Sequence, residues 1–189
     1  NGDREMAWAL YKAGFKVKDV HMTDLITGRE NLSEVNMVVF VGGFSNADTL
    51  GSAKGWAGAF LYNQKAKQAL DSFYKREDTL SLGVCNGCQL MAELGLITPD
   101  DKEKSPKMLH NDSHKYESAF VGVTVEESPS VMLKTLEKCS LGIWVAHGEG
   151  KFSFPAGKDK FVTALKYNYS DYPANPNGSP DGIAGVCSH

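Results

Sequence analysis

Two short runs of apolar β-formers, each ending at a tight turn, place the strongest constraint on how this chain folds. Met37–Val41 is continuously apolar and is followed by Gly42 and Gly43, and Leu80–Val84 is followed directly by Cys85. Such runs are typical of strands that are covered on both faces, as in a parallel sheet. Helical patterns follow both runs, so the sequence predicts an α/β fold, a three-layer sandwich with a mainly parallel central sheet. We expect the two strands to be adjacent and parallel, with both turns meeting at one sheet edge.

The remaining elements are predicted from periodicity. In the first half we expect a helix over Asp3–Ala13, a strand over Phe15–His21, a connector over Leu25–Asn36, a long helix over Trp56–Lys75 and a helix over Cys88–Leu94. In the second half we expect strands over Phe120–Val125, Ile143–Ala146, Phe161–Tyr167 and Ile183–Val186. Because no linker-like segment divides the chain, residues 1–189 are predicted to form a single domain.

The segment Leu82-Gly-Val-Cys-Asn-Gly-Cys-Gln89 is the most informative for chemistry. It places Cys85 in a Gly-x-Cys-x-Gly turn between a strand and a helix, the cysteine counterpart of a nucleophile elbow. A Cβ at Gly83 or Gly87 is expected to collide with the neighbouring strand or helix. The first N–H groups of the following helix point toward the sulfur and favour its thiolate. The Asn86 N–H is then placed to bind an oxyanion on a substrate carbon.

The Cys85-x-x-Cys88 spacing also suits two other kinds of site. A zinc site needs two further ligands, and the sequence has no second Cys-x-x-Cys and no His-x-x-x-His, so no metal site is predicted. A redox dithiol is the second alternative, although such motifs lack the flanking Gly-x-Cys-x-Gly frame. Cys88 is most simply a small apolar residue that packs one turn into the helix.

Two further segments are candidates for the same site. The Gly42-Gly43-Phe44 loop follows a predicted strand, where its N–H groups can complete an oxyanion hole, although a glycine turn alone is a common structural feature. His147 follows a short strand two residues before Glu149, a spacing that suits a base and its orienting carboxylate but also a surface turn.

Composition limits the possible partners and locations. The chain has 189 residues with 42% hydrophobic and 23% charged residues, and its formal net charge is −3. Without a basic surplus, nucleic acid is not an expected partner. No apolar run is long enough to span a bilayer, and the first residues do not have the pattern of a signal peptide, so no membrane association is expected. The four cysteines are best explained as free thiols in a reducing, cytoplasmic location.

The motifs together resemble one known family over essentially the whole chain, in order. They are Gly83-Val-Cys-Asn-Gly-Cys-Gln-Leu-Met91, Gly42-Gly-Phe-Ser45, Gly55-Trp-Ala57, Asn111-Asp-Ser113, Ala146-His-Gly-Glu-Gly150 and Asn175-Pro-Asn-Gly-Ser179. This set is similar to the glutaminase domains of large, multidomain phosphoribosylformylglycinamidine synthases. Those domains have the flavodoxin-like fold of class I glutamine amidotransferases.

The resemblance implies a division of roles at one site. It makes Cys85 the nucleophile that forms a glutamyl thioester from L-glutamine. It implies an oxyanion hole formed by the backbone of Gly43, Phe44 and Asn86. It also implies that Gln89, His147 and Gly148 contact the substrate. No cofactor is expected in this domain.

The resemblance also implies a partner and a limit. Ammonia is expected to pass to a synthetase domain of the same enzyme, where ATP and Mg²⁺ drive amidine formation from formylglycinamide ribonucleotide in purine synthesis. The family's catalytic His and Glu lie in a His-Pro-Glu motif that these 189 residues lack, so we expect a domain truncated at both ends. The alternatives are an elbow-cysteine hydrolase or thiol sensor on a similar fold, and a non-catalytic docking domain.

Overall fold

A computed structural model describes residues 2–98, 104–158 and 161–188 of the chain. The sequence predicts one domain, and the structure groups the residues into two compact units, which are described in turn. We call residues 1–94 unit 1 and residues 95–189 unit 2. Across the described residues, each helix is too short or too polar to cross a lipid bilayer.

Unit 1 combines helices with one pair of strands. The helices are α1 (Asp3–Lys12), α2 (Met22–Thr27), α3 (Lys54–Leu61), α4 (Gln64–Tyr74) and α5 (Asn86–Leu94), and the strands are β1 (Met37–Phe40) and β2 (Leu80–Gly83). β1 and β2 are parallel neighbours, with Met37 opposite Leu80 and Phe40 opposite Gly83. The predicted pairing of the two apolar runs is therefore confirmed, and their carboxyl ends lie at the same edge.

Two predictions in unit 1 were wrong. The helix expected over Trp56–Lys75 is broken after Leu61, because Asn63 begins a new helix by accepting a hydrogen bond from the Ala66 N–H at 3.0 Å. Such an N-cap satisfies one of the helix's first N–H groups, which have no partner within the helix. The strand expected over Phe15–His21 does not form, since alternating polarity alone does not supply a neighbouring strand.

The core of unit 1 surrounds the end of β1. The Phe40 ring packs edge-on against Trp56 and Phe60 of α3, with ring centroids 6.1 Å and 6.3 Å away. The buried face of α4 adds further apolar side chains, namely Ala66, Ala69, Leu70 and Phe73. Burial of these side chains holds the helices against the parallel pair, because removing apolar surface from water is the main favourable term in folding.

Unit 2 consists mostly of antiparallel strands. They are β3 (Lys107–Leu109), β4 (Glu117–Val125), β5 (Ser140–His147), β6 (Lys151–Ser153), β7 (Val162–Tyr167) and β8 (Ile183–Cys187). Strands β5, β4, β7 and β8 form one sheet in that order, and β3 pairs with β6. All of these pairings are antiparallel, and Val121, Val123, Val145 and Tyr167 form a buried cluster on the four-stranded sheet.

The expectation of a mainly parallel central sheet is not confirmed. Among the described strands only β1 and β2 pair in parallel, and the other sheets are antiparallel. The physical reason lies in the connections of unit 2. A parallel pairing needs a crossover of a dozen or more residues, usually a helix, and the described residues of unit 2 contain only short 3-10 turns between strands.

Candidate active site

Cys85 occupies the sharp turn between β2 and α5. Its backbone φ is +53°, a left-handed conformation that is uncommon for residues other than glycine and that concentrates at functional sites. The turn is fixed on both sides by backbone hydrogen bonds. The Val84 N–H donates to the Phe40 carbonyl at 3.1 Å, and the Gly87 N–H donates to the Val84 carbonyl at 2.9 Å. The predicted elbow geometry is therefore present.

The two flanking glycines allow α5 to lie directly on the strands. A Cβ at Gly83 would lie 2.6 Å from the Gly87 carbonyl oxygen and 2.7 Å from the Met91 Sδ. A Cβ at Gly87 would lie 2.8 Å from the Phe40 Cβ and closer still to the Phe40 carbonyl oxygen. Both sites therefore exclude any larger residue, as expected from the sequence, and the close approach places the start of α5 at the end of both strands.

The Gly42-Gly43 loop lies beside the cysteine. A Cβ at Gly42 would lie 3.1 Å from the Cys85 Cβ and 3.9 Å from its Sγ. Gly43 has a backbone φ of +115°, a conformation that residues other than glycine rarely adopt. Phe44 follows with a largely exposed side chain. The loop and the elbow thus meet at one edge of the parallel pair, as predicted.

A buried amide joins this loop to the helix, a contact that the sequence did not reveal. The Asn86 side chain is almost fully buried and donates from Nδ2 to Asp48 Oδ1 at 3.1 Å and to Gln89 Oε1 at 2.9 Å. Its Oδ1 accepts from the Ser45 N–H at 3.1 Å. Asp48 Oδ1 also accepts from the Ala53 N–H at 2.9 Å. We call Asn86, Asp48 and Gln89 the amide clamp, because they fix the loop to the start of α5.

Cys88 differs from Cys85 in its surroundings. The Cys88 residue as a whole is half-buried, whereas its thiol group is enclosed by protein atoms. Burial raises the pKa of the Cys88 thiol to about 12, and the nearby Cys85 adds to the shift. A protonated, buried thiol is a poor redox partner or metal ligand. Within the part of the chain that the structure describes, no three His, Cys, Asp or Glu side chains are grouped to hold a metal ion.

His147 and Gly148 lie in unit 2, at the end of β5. Their turn is held by Asn111, whose side chain is buried. The Asn111 N–H donates to the Gly148 carbonyl at 2.9 Å, and its Nδ2 donates to the His147 carbonyl at 2.8 Å. Its Oδ1 accepts from the Gly150 N–H at 3.0 Å. The conformation of residues 147–150 is therefore set by one asparagine from another loop.

The suggested role of His147 and Glu149 as a base and its orienting carboxylate stays a prediction. Glu149 Oε1 lies 3.6 Å from Nε2 of His110, which is exposed. Burial lowers the pKa of the His147 imidazole, so the neutral form is favoured. In unit 1 the structure brings together Cys85, Gly43, Phe44, Asn86 and Gln89 from the predicted site.

An elbow cysteine beside a glycine loop, on an α/β unit of this kind, defines the class of protein. The model of the CobB/CobQ-like glutamine amidotransferase domain matches residues 1–189. The chain belongs to this family of glutamine amidotransferase domains.

Similar proteins of known name point to a narrower group within this family. A probable phosphoribosylformylglycinamidine synthase of Arabidopsis thaliana, described as chloroplastic/mitochondrial, is 46% identical over the whole chain. The phosphoribosylformylglycinamidine synthase of Homo sapiens is 45% identical, also over the whole chain. The chain spans 15% and 16% of the lengths of these two relatives.

Solved structures agree with the fold. PurLQS from Thermotoga maritima is similar over all of this chain and 77% of the matched chain, with a TM-score of 0.79 and 26% identity. A glutamine amidotransferase of the same organism matches 95% of this chain and 62% of its own, with a TM-score of 0.57 and 16% identity. The α/β glutamine amidotransferase fold expected from the sequence is therefore shown.

Proposed function

We propose that this chain is the glutaminase domain of a phosphoribosylformylglycinamidine synthase and that Cys85 is its nucleophile. The observation that carries the proposal is the left-handed elbow at Cys85, held between two glycines beside the Gly42-Gly43 loop. The family membership and the similarity to these synthases support it. The flavodoxin-like, three-layer arrangement is part of the same proposal, supported by the similarity to PurLQS.

The proposed reaction proceeds in two steps at the Cys85 sulfur. The thiolate attacks the side-chain carboxamide carbon of L-glutamine, and the C–N bond breaks with proton transfer to nitrogen, so that ammonia leaves and a glutamyl thioester remains. Water then attacks the thioester, which releases glutamate and returns the thiol. Both steps pass through a tetrahedral oxyanion, which requires hydrogen-bond donors fixed in advance.

The backbone of Gly43, Phe44 and Asn86 is proposed to supply those donors. The next N–H group after Phe44 and the next after Asn86 already have acceptors within the protein. The Ser45 N–H donates to the Asn86 side chain, and the Gly87 N–H donates to the Val84 carbonyl. The amide clamp keeps the loop and the helix start at a fixed separation, as a preorganised oxyanion hole requires.

The other predicted contacts with the substrate stay proposals. Gln89 is mostly buried and already bonded to Asn86, so it is proposed to contact glutamine while remaining part of the clamp. His147 and Gly148, whose turn is held by hydrogen bonds to Asn111, also stay proposed substrate contacts.

The released ammonia is proposed to react in a synthetase domain of the same enzyme, with ATP and Mg²⁺, to convert formylglycinamide ribonucleotide to its amidine.

Ammonia release from L-glutamine tests the proposal when Cys85→Ser is compared with the matched variant Cys88→Ser in the full-length protein. Loss of ammonia release in Cys85→Ser alone supports a glutaminase, whereas equal loss in both variants supports a dithiol. Amidine formation that depends on glutamine, ATP and Mg²⁺ tests the synthetase role. A docking domain without catalysis releases no ammonia in any variant.

A cytoplasmic location stays a prediction, since one relative is described as chloroplastic/mitochondrial.

A further inference from the structure

The four-stranded sheet of unit 2 has an outer face without charged residues along β4 and β5. These strands pair without a bulge over residues 117–124 and 140–147, so their side chains alternate between the two faces. The odd-numbered residues Val121, Val123 and Val145 belong to the buried cluster. The even-numbered residues from 118 to 124 and from 140 to 146 therefore form the outer face, and none of these eight is charged. An antiparallel sheet usually turns a polar face toward water, so this composition indicates a covered face.

Two large aromatic side chains stand on this outer face. Phe120 and Trp144 are opposite each other in the β4–β5 register, and their ring centroids are 5.2 Å apart. They are 62% and 75% exposed. The Phe120 ring also lies on Gly142, because a Cβ at that glycine would overlap the ring. We call Phe120, Gly142 and Trp144 the aromatic patch. Continuous apolar surface of this kind is unfavourable in water and marks a place where another surface binds.

Polar groups border the aromatic patch at both ends. At one end the Thr124 hydroxyl donates to Asn168 Oδ1 at 2.9 Å, and Lys166 lies opposite Thr124 on β7. At the other end the exposed Tyr116 donates from its hydroxyl to the Ala146 carbonyl at 2.8 Å. An aromatic centre without charge inside a polar rim is the usual anatomy of a protein–protein interface. Tryptophan and tyrosine are also among the side chains that contribute most to binding at such interfaces.

The chemistry of the patch fits a folded protein surface. An uncharged patch gains nothing from releasing the counterions of a phosphate backbone, and it does not attract anionic lipid headgroups. This chain spans 15% and 16% of the lengths of two relatives, so most of each of those polypeptides lies outside the matched region. A domain tethered to the same polypeptide is present at a high effective concentration, whereas a second copy has to bind from dilute solution. The tethered domain is therefore the favoured occupant.

We propose that the aromatic patch is the surface on which the synthetase domain of the same polypeptide docks. This inference rests on the proposed function, because that function requires a synthetase domain to use the ammonia. Docking covers both rings and keeps the two domains together. Ammonia released by one domain is then used by the other before it is lost to solvent.

Photo-cross-linking in the full-length protein tests which surface covers the patch. Trp144 is replaced by the photoreactive amino acid benzoylphenylalanine, which keeps an aromatic side chain at that position. The matched control has the same replacement at Val131, which is 69% exposed in the connection between β4 and β5. After irradiation, the cross-linked peptides are mapped by mass spectrometry. We expect position 144 to join a synthetase peptide of the same polypeptide and position 131 not to join it.

A second test measures how well the two activities are coupled. Trp144→Ser removes the larger ring, and loss of one such aromatic anchor weakens an interface about thirtyfold. We expect ammonia release from glutamine to be kept, the amidine formed per ammonia released to fall, and an added ammonium salt to restore amidine formation. The matched variant Val131→Ser is expected to match the wild type in all three measurements.

The outcomes are distinct. A cross-link from position 144 to the synthetase domain within one polypeptide supports the proposal. A cross-link to a second copy or to any other part of the polypeptide, or no cross-link, overturns it. Unchanged amidine formation per ammonia released in Trp144→Ser also overturns it. If the wild-type protein does not hydrolyse glutamine, the proposed function fails, while the cross-link still shows which surface covers the patch.

Discussion

The substitution Gly87→Ala tests whether α5 must lie directly on the parallel strands. The new Cβ would stand 2.8 Å from the Phe40 Cβ and closer still to the Phe40 carbonyl oxygen, which is backbone and cannot rotate away. Overpacking of this kind costs about 1–3 kcal/mol, and the fixed backbone neighbour places this site near 3. Replacing glycine by alanine inside a helix returns about 1 kcal/mol. We therefore expect a net loss of about 2 kcal/mol in the free energy of unfolding.

Thermal unfolding measures this loss, which corresponds to a fall of about 4–8 °C in the Tm of a chain of this size. The matched control is Gly58→Ala, also inside a helix, where the new Cβ meets only the Tyr62 ring at 3.7 Å. That variant is expected to gain up to about 1 kcal/mol, since only the helix preference changes. Alkylation of Cys85 should slow in Gly87→Ala and stay unchanged in Gly58→Ala. An unaltered Tm in Gly87→Ala would refute the close packing.

Three other substitutions test separate parts of the account. Cys88→Ser should keep most glutamine hydrolysis, because that thiol is buried, protonated at neutral pH and outside the turn that holds Cys85. A steady-state ammonia assay checks this. Asn86→Asp replaces the amide donor that lies 3.1 Å from the Asp48 carboxylate by an acceptor. We therefore expect the free energy of unfolding, measured by thermal unfolding, to fall by about 1–3 kcal/mol and kcat to be lower. Wild-type values for both would show that the amide clamp has no role. Asn63→Ala removes the N-cap that accepts from the Ala66 N–H, and the Tm should fall by about 2–4 °C with glutamine hydrolysis unchanged.

The parts of the site that follow from local sequence were predictable. The apolar runs fixed the parallel pair, because a strand covered on both faces leaves a continuous apolar signal. The glycines on either side of Cys85 revealed the elbow, since their spacing in the chain is also their spacing in the turn. The break before α4 could also have been predicted, because Asn63 precedes Gln64-Lys65-Ala66 as an N-cap residue does. It was missed because the apolar pattern continues across it.

The contacts between distant segments were not predictable. Asn86 bonds Asp48 and Ser45 across about forty residues of chain, and Asn111 holds the His147 turn from a similar distance. A polar side chain in a sequence does not show which backbone group it will meet. The antiparallel sheets of unit 2 were missed for another reason. The strands were recognised, but their pairing direction depends on the connections between them, and the three-residue strands β3 and β6 are too short to leave a pattern.

Selective alkylation shows whether Cys85 is the nucleophile of a glutamine-binding site. The full-length protein is treated briefly with an alkylating analogue of glutamine, with and without L-glutamine, and the labelled peptides are mapped by mass spectrometry. We expect label on Cys85 well before Cys88, Cys139 or Cys187, protection by glutamine, and loss of ammonia release in step with labelling. Label spread over the four cysteines without protection, or full ammonia release from protein labelled at Cys85, would contradict this role of Cys85.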